Sequence, residues 1–363
     1  MSRKHFSLLL AVTLVVAVMV LLLPGKTSRK SDVEKTHLLP ALQEQVNDLD
    51  WLRFTGAGGS VIATLVRGDG TWRVEEVHDY HADWNQLRTL LADLARAEIV
   101  EPKTANPVYY ARLGVEDVSQ TDATGVMLEF AAASGVPALV IGNRAQGRDG
   151  HYVRLKDAAD SLLIDRSLEV PREAMGWLDQ NIVHIADTEV VEVEIVHADG
   201  ERIVARKTSA DDENFVLQDI PEGREIQSDW AVDSLANGLA SLTFEAVVPA
   251  DGLDWSDATR FGLVTADGLR IDAELFGVGA KAAAVGENEQ ADLEYWIRLQ
   301  AGLYQTAVDS GVTPPQDADE TVQRADTINN RVGGWAYRIP KYKFDAMTKH
   351  MADLLRATDS PES

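Results

Sequence analysis

Residues 6–23, FSLLLAVTLVVAVMVLLL, form an unbroken apolar run in which Ser7 and Thr13 are the only polar members. Eighteen residues at about 1.5 Å each span about 27 Å, close to the thickness of a bilayer core, so the pattern predicts a transmembrane helix. Arg3, Lys4 and His5 precede it, as in a signal peptide. The run is longer than a signal core, however, and Leu22-Leu23-Pro24-Gly25-Lys26 offers no small-x-small cleavage site. An uncleaved anchor is expected. Basic residues flank both ends almost equally, so charge does not orient the span.

Beyond a polar tether the pattern shortens to strand-length runs. Residues 61–65 and 71–74 flank Gly68-Asp69-Gly70, a turn between two β-rich stretches, and predict a hairpin. Asp83 can cap a helix over 84–97, where Trp84, Leu87, Leu90, Leu91 and Leu94 share one face. Further strands are expected at 126–130, 138–141, 152–155 and 162–164. The second half repeats the order, with strands at 190–196 and 202–205 around Asp199-Gly200 and another at 215–217. A helix carrying Trp230, Leu235, Leu239 and Leu242 follows, then strands at 269–276 and 295–299, and a closing helix over 342–355 with Phe344, Met347, Met351, Leu354 and Leu355 on one stripe.

Matching landmarks are offset by a nearly constant interval. Trp72 answers Phe215, Tyr152-Val153-Arg154-Leu155 answers Trp296-Ile297-Arg298-Leu299, and Ala111-Arg112-Leu113-Gly114-Val115 answers Thr259-Arg260-Phe261-Gly262-Leu263. Gly176-Trp177 pairs with Gly334-Trp335 after an insert at 309–327. Such periodicity predicts a tandem duplication. The expected fold class is α+β: one N-terminal transmembrane helix followed by two tandem strand-rich modules, each with hairpins and a long amphipathic helix. The expected boundaries are a cytoplasmic tip at 1–5, the anchor at 6–23, a tether at 24–37, a first module at 38–181, a second, duplicated module at 182–357 and a tail at 358–363.

Charge sharpens this division. The 363-residue chain carries 34 Lys and Arg against 58 Asp and Glu, for a net charge of −24. Residues 1–30 hold five of the basic residues and none of the acidic ones, which leaves −29 on the rest. A body this acidic is repelled by anionic lipid and by nucleic acid, so no nucleic-acid partner is expected. The absence of cysteine excludes disulfides, thiolate zinc sites, iron–sulfur clusters and cysteine nucleophiles.

Candidate chemistry is sparse. His78-Asp79-Tyr80-His81-Ala82-Asp83 is the densest set of metal-ligand types, but it lies where a strand gives way to a helix and Asp83 already has a capping role. Asp211-Asp212-Glu213 and Asp317-Ala318-Asp319-Glu320 lack the alternation and central glycine of a calcium loop. Gly277, Gly279 and Gly286 do not complete GxGxxG, and neither a Walker sequence nor GxSxG occurs. The loop GNRAQGRDG at 142–150 is basic and glycine-rich, but reads as a hairpin loop. No catalytic, cofactor-binding or metal residue is therefore assigned, and no cofactor is expected.

Glu101-Pro102-Lys103-Thr104-Ala105-Asn106-Pro107, followed by Tyr110-Ala111-Arg112-Leu113-Gly114-Val115-Glu116-Asp117, resembles a signature of the bacterial family catalogued as domain of unknown function 4340. Asp69-Gly70-Thr71-Trp72, Ala82-Asp83, Ile141-Gly142, Tyr152-Val153-Arg154 and Trp177-Leu178-Asp179 extend the likeness. The resemblance implies an inner-membrane protein with one N-terminal helix and a periplasmic body, some members resembling auxiliary components of gliding-type ABC transporters. It carries no catalytic residues. The expectation is a single-pass bacterial inner-membrane protein held through residues 6–23, serving as a non-enzymatic binding or scaffold component of an ABC-type transport or envelope-assembly system. An ABC permease or another envelope protein is its expected partner. The competing expectation is an envelope hydrolase with an acidic pair between the modules.

Overall fold

The computed structural model describes residues 36–279, 293–304 and 318–357. The expected span at 6–23, most of the tether and the tail at 358–363 lie outside the described residues. In chain order the first nine strands are β1 (Trp51–Thr55), β2 (Val61–Gly68), β3 (Thr71–Val74), β4 (Tyr80–His81), β5 (Ile99–Pro102), β6 (Val126–Phe130), β7 (Leu139–Arg144), β8 (His151–Leu155) and β9 (Ser161–Ile164). Ten more follow: β10 (Asn181–Val183), β11 (Val190–Val196), β12 (Arg202–Arg206), β13 (Val216–Leu217), β14 (Leu242–Thr243), β15 (Ala246–Pro249), β16 (Thr259–Thr265), β17 (Leu269–Gly279), β18 (Leu293–Leu303) and β19 (Trp335–Ile339). Every pairing given for them is antiparallel.

The described residues divide into two compact units, one of 36–62 with 85–172 and one of 63–84 with those from 173 onward. In the first, six strands run in the order β1-β6-β7-β8-β9-β5. Alternation along β1 and β6 places Leu52, Phe54, Val126, Leu128 and Phe130 in the core, as period-two burial requires. The helix Trp84–Arg96 buries Leu87, Leu90, Leu91 and Leu94. Trp84, expected on that stripe, is half exposed.

The second unit takes the turn signal Asp69-Gly70 as a left-handed pair, with φ of 50° and 80° between β2 and β3. Its main sheet has eight strands in the order β13-β12-β11-β16-β17-β18-β19-β15. The strands β17 and β18 pair over eleven residues each, from Leu269↔Leu303 to Gly279↔Leu293. Tyr80 shows why a segment from the first half belongs here. Its ring meets Phe244, Trp335 and Tyr337 edge to face at 5.0–6.1 Å, and its hydroxyl shares a 3.2 Å hydrogen bond with that of Tyr337.

The fold-class expectation of a transmembrane helix followed by two α+β modules is corrected. The protein is strand-rich and built on large antiparallel sheets. Among the described residues no helix is long and apolar enough to cross a membrane. The second long amphipathic helix does not form: Asp229–Asp233 is one short helix that continues as a single 3-10 turn over Ser234–Asn237. Ser, Asn and Gly at 234, 237 and 238 are weak helix formers, and Trp230 is left largely exposed. A helix sits instead at Ala318–Val332, where Asn329 satisfies both backbone groups of Ala301 at 2.8 Å.

Two landmark pairs dissolve as well, since Tyr110–Leu113 is helical and Thr259–Thr265 is a strand, while Ala174–Trp177 is a 3-10 turn and Trp335 opens β19. The run β11-β16-β17-β18-β19-β15 is nevertheless ordered like β1-β6-β7-β8-β9-β5. The closing helix over 342–355 is broken into Lys341–Met347 and Met351–Leu354, because Thr348 and His350 leave helical conformation.

Candidate functional site

The stretch at 101–117, together with Ile141-Gly142 and Tyr152-Val153-Arg154, builds a clasp in the first unit. Arg154 on β8 is buried and donates from Nε to the Val115 carbonyl at 2.9 Å and from Nη1 to the Lys156 and Ala158 carbonyls at 3.3 Å. Its guanidinium lies 4.9 Å over the ring of Tyr110, whose hydroxyl donates to the Ala159 carbonyl. Ser161 and Thr104 exchange hydrogen bonds, and Asn106 caps the turn that follows through the Val108 amide. Gly142 lies so close to the Leu113 carbonyl that a Cβ would collide with it, so Leu113-Gly114 and Ile141-Gly142 need each other. These residues close upon themselves and leave little for a ligand.

The open site lies in the second unit. A cavity of about 860 Å³ is lined by Glu194 of β11, Arg260 of β16, Arg270, Asp272 and Glu274 of β17, and Arg298 and Gln300 of β18, with Ala250, Gly334 and Trp335 at its margin. The register explains the lining. Glu194, Gly262, Asp272 and Gln300 form one row across four strands, and Val196, Arg260, Glu274 and Arg298 the next. Because side chains alternate, Ile271, Ala273 and Leu275 are buried while Arg270, Asp272 and Glu274 share the opposite face.

Charges on this face are mostly matched. Arg270 bonds Asp272 at 2.7 Å and Glu194 at 3.3 Å, Arg202 bonds Glu194 at 2.7 Å, and Arg298 pairs with Glu274. Burial would raise the Glu194 carboxyl, but its hydrogen bonds and charge interactions with Arg202 and Arg270 outweigh that and hold it below the ordinary carboxylate range. Gly262 makes room, since a Cβ there would meet the Arg270 Nη2 at 2.8 Å. Arg298 is braced by Trp255, whose ring lies 4.5 Å beneath its guanidinium and whose Nε1 donates to the Ala250 carbonyl at 2.9 Å. Arg260 is exposed and forms no ion pair among the described residues.

The residues considered for metal chemistry fare differently. His78 and Asp79 adopt left-handed backbone conformations, with φ of 54° and 58°, and His81 lies against Tyr80. Desolvation, then Arg73 and Arg331, hold the His81 imidazole below its usual pKa. This segment, already set aside as a metal site on sequence grounds, is not among the described ligand groups within mutual reach. Among the described residues the cluster within mutual ligand reach is His197, Glu201 and His350. In the loop at 142–150, Arg148 pairs with Glu101 at 2.6 Å and Arg144 lies 3.7 Å from Asp149. The alternating Arg270-Ile271-Asp272-Ala273-Glu274 was the signal that could have revealed the charged face, although the cross-strand rows are invisible in one dimension.

No curated protein and no solved structure matches the chain. The family described as domain of unknown function (DUF4340) matches over residues 72–265, just over half of the chain, a range that holds the clasp and the β11 and β16 members of the charged rows. The chain therefore belongs to the DUF4340 family.

Proposed function

We propose that the protein is a non-enzymatic binding component of an envelope system, tethered to the inner membrane through residues 6–23 with its body in the periplasm, and that the charged cavity of the second unit is its recognition surface. The observation that carries this reading is the distribution of partners around the cavity. Every carboxylate lining it is engaged by an arginine, whereas Arg260, which also lines it, forms no ion pair among the described residues. A hydrolase of the two-carboxylate type favours a pair of carboxyls facing each other, whereas each lining acid here faces an arginine, which supports the binding reading over that one. An open, arginine-rich wall with indole at its margin suits an acidic or carbonyl-rich segment of a protein partner, and an ABC permease remains the partner that the family resemblance suggests.

The test is co-purification of the full-length chain from gently solubilised membranes. The wild-type protein should bring down an ABC permease or ATPase subunit, and Arg260→Glu should lower the recovered partner at least tenfold while the protein stays folded. Recovery of the chain alone, or undiminished recovery with Arg260→Glu, would overturn the assignment of this face.

A further inference from the structure

The turn joining β11 to β12 is clamped by the His197 amide donating to the Glu201 carbonyl at 2.9 Å, which brings both side chains to one end of the hairpin. The break in the closing helix delivers His350 to the same place. Its ring stacks on that of His197 at 4.0 Å with 9° between the planes, and its Nδ1 hydrogen-bonds the Glu201 carboxylate. Glu201 Oε2 lies 4.0 Å from His197 Nε2. One ligand atom from each of the three residues falls within 4.8 Å of the others.

We propose that His197, Glu201 and His350 form a binding site for a borderline divalent metal ion of the zinc class. Two imidazole nitrogens and one carboxylate oxygen are the donor set such ions take, and calcium or magnesium would require more oxygens. The surroundings already orient two of the three ligands. Glu201 Oε1 accepts from the Met351 amide at 3.0 Å, which leaves Oε2 for the ion. His197 is buried, with Nδ1 at 3.3 Å from the Thr259 hydroxyl, which can accept from Nδ1–H when an ion takes the Nε2 lone pair. The Nε2–H donates to the Lys349 carbonyl at 3.0 Å, so binding an ion there requires that proton to move to Nδ1. Parallel rings cannot aim in-plane lone pairs at a single ion, so binding requires the half-exposed His350 ring to tilt, and its surface position leaves it free to do so. The ion would then join the β11–β12 turn to the C-terminal segment across about 150 residues of sequence.

Cobalt(II) titration of the full-length chain tests this, because a site of nitrogen and oxygen donors with low coordination number gives intense visible bands. One equivalent should produce the bands, excess zinc should remove them, and chelator should lower the melting temperature of the loaded protein. His350→Ala and Glu201→Gln, both at accessible side chains, should weaken binding at least tenfold while circular dichroism stays unchanged. Absence of saturable binding in the wild type overturns the proposal. So does binding that survives both variants, or that is lost only with His78→Ala and His81→Ala.

Discussion

Arg154 and Arg298 sit in strands of similar sequence, Tyr-Val-Arg-Leu and Trp-Ile-Arg-Leu, and β8 and β18 hold like positions in their six-strand runs. Their fates diverge. Arg154 is buried and spends its donors on three backbone carbonyls, with Tyr110 across its face. Arg298 is about two-fifths exposed, pairs with Glu274 and stacks on Trp255 at the wall of a cavity. A buried guanidinium surrounded by carbonyls holds loops together, whereas the same group on an open sheet face remains available to a ligand. What differs is the cover: the segment at 110–115 closes over Arg154.

The largest expected effect comes from opening the closed member. Arg154→Met should destabilise the protein by about 3 kcal/mol, because the carbonyls it serves lose a charged donor in a buried setting. Urea unfolding should show the loss, and hydrogen exchange should accelerate at β8 and β9. A midpoint like that of the wild type would mean that the clasp is dispensable.

The second unit has its own closed polar pair. Desolvation raises the pKa of Tyr80 and Tyr337, and in the folded state both hydroxyls stay protonated above the ordinary tyrosine value of 10.0. Above that pH the unfolded chain releases protons that the folded one retains, so stability is complete below pH 10.0 and falls as pH rises further. Tyr80→Phe should flatten this alkaline loss, measured as melting temperature between neutral pH and the onset of unfolding. An unchanged alkaline slope would break the comparison with the first unit's clasp.

The smallest stability effect is expected at the open member. Arg298→Ala should cost less than about 1 kcal/mol, as for other solvent-exposed ion pairs. It should nonetheless reduce partner recovery as strongly as Arg260→Glu does. A large loss of stability with intact binding would reverse the roles assigned to the two arginines.

Much of the local structure was legible from pattern. The helix Trp84–Arg96, the hairpin turn at Asp69-Gly70 and most expected strands lie within a few residues of their places, because period and turn chemistry are local properties. The strands β1, β4, β5, β10, β14, β15, β16 and β19 went unread, several being too short to show a period. Glycine and polar residues shortened the second amphipathic helix, and contacts made by Lys349 and His350 divide the last one. The family motif was visible but its meaning was not, since its conspicuous residues turn out to brace one another in the first unit.

The sequence by itself determined an acidic body with no cysteine chemistry, a set of short amphipathic strands, the turn positions and membership of the family, all of which depend on residue type and near neighbours. Only the tertiary structure decided that a segment from the first half completes the second unit, that Arg154 is sealed while Arg260 and Arg298 face a cavity, and that His197 meets His350. Those outcomes depend on strand register and on which distant segment covers which face. Burial then sets how strongly each charge or hydrogen bond counts.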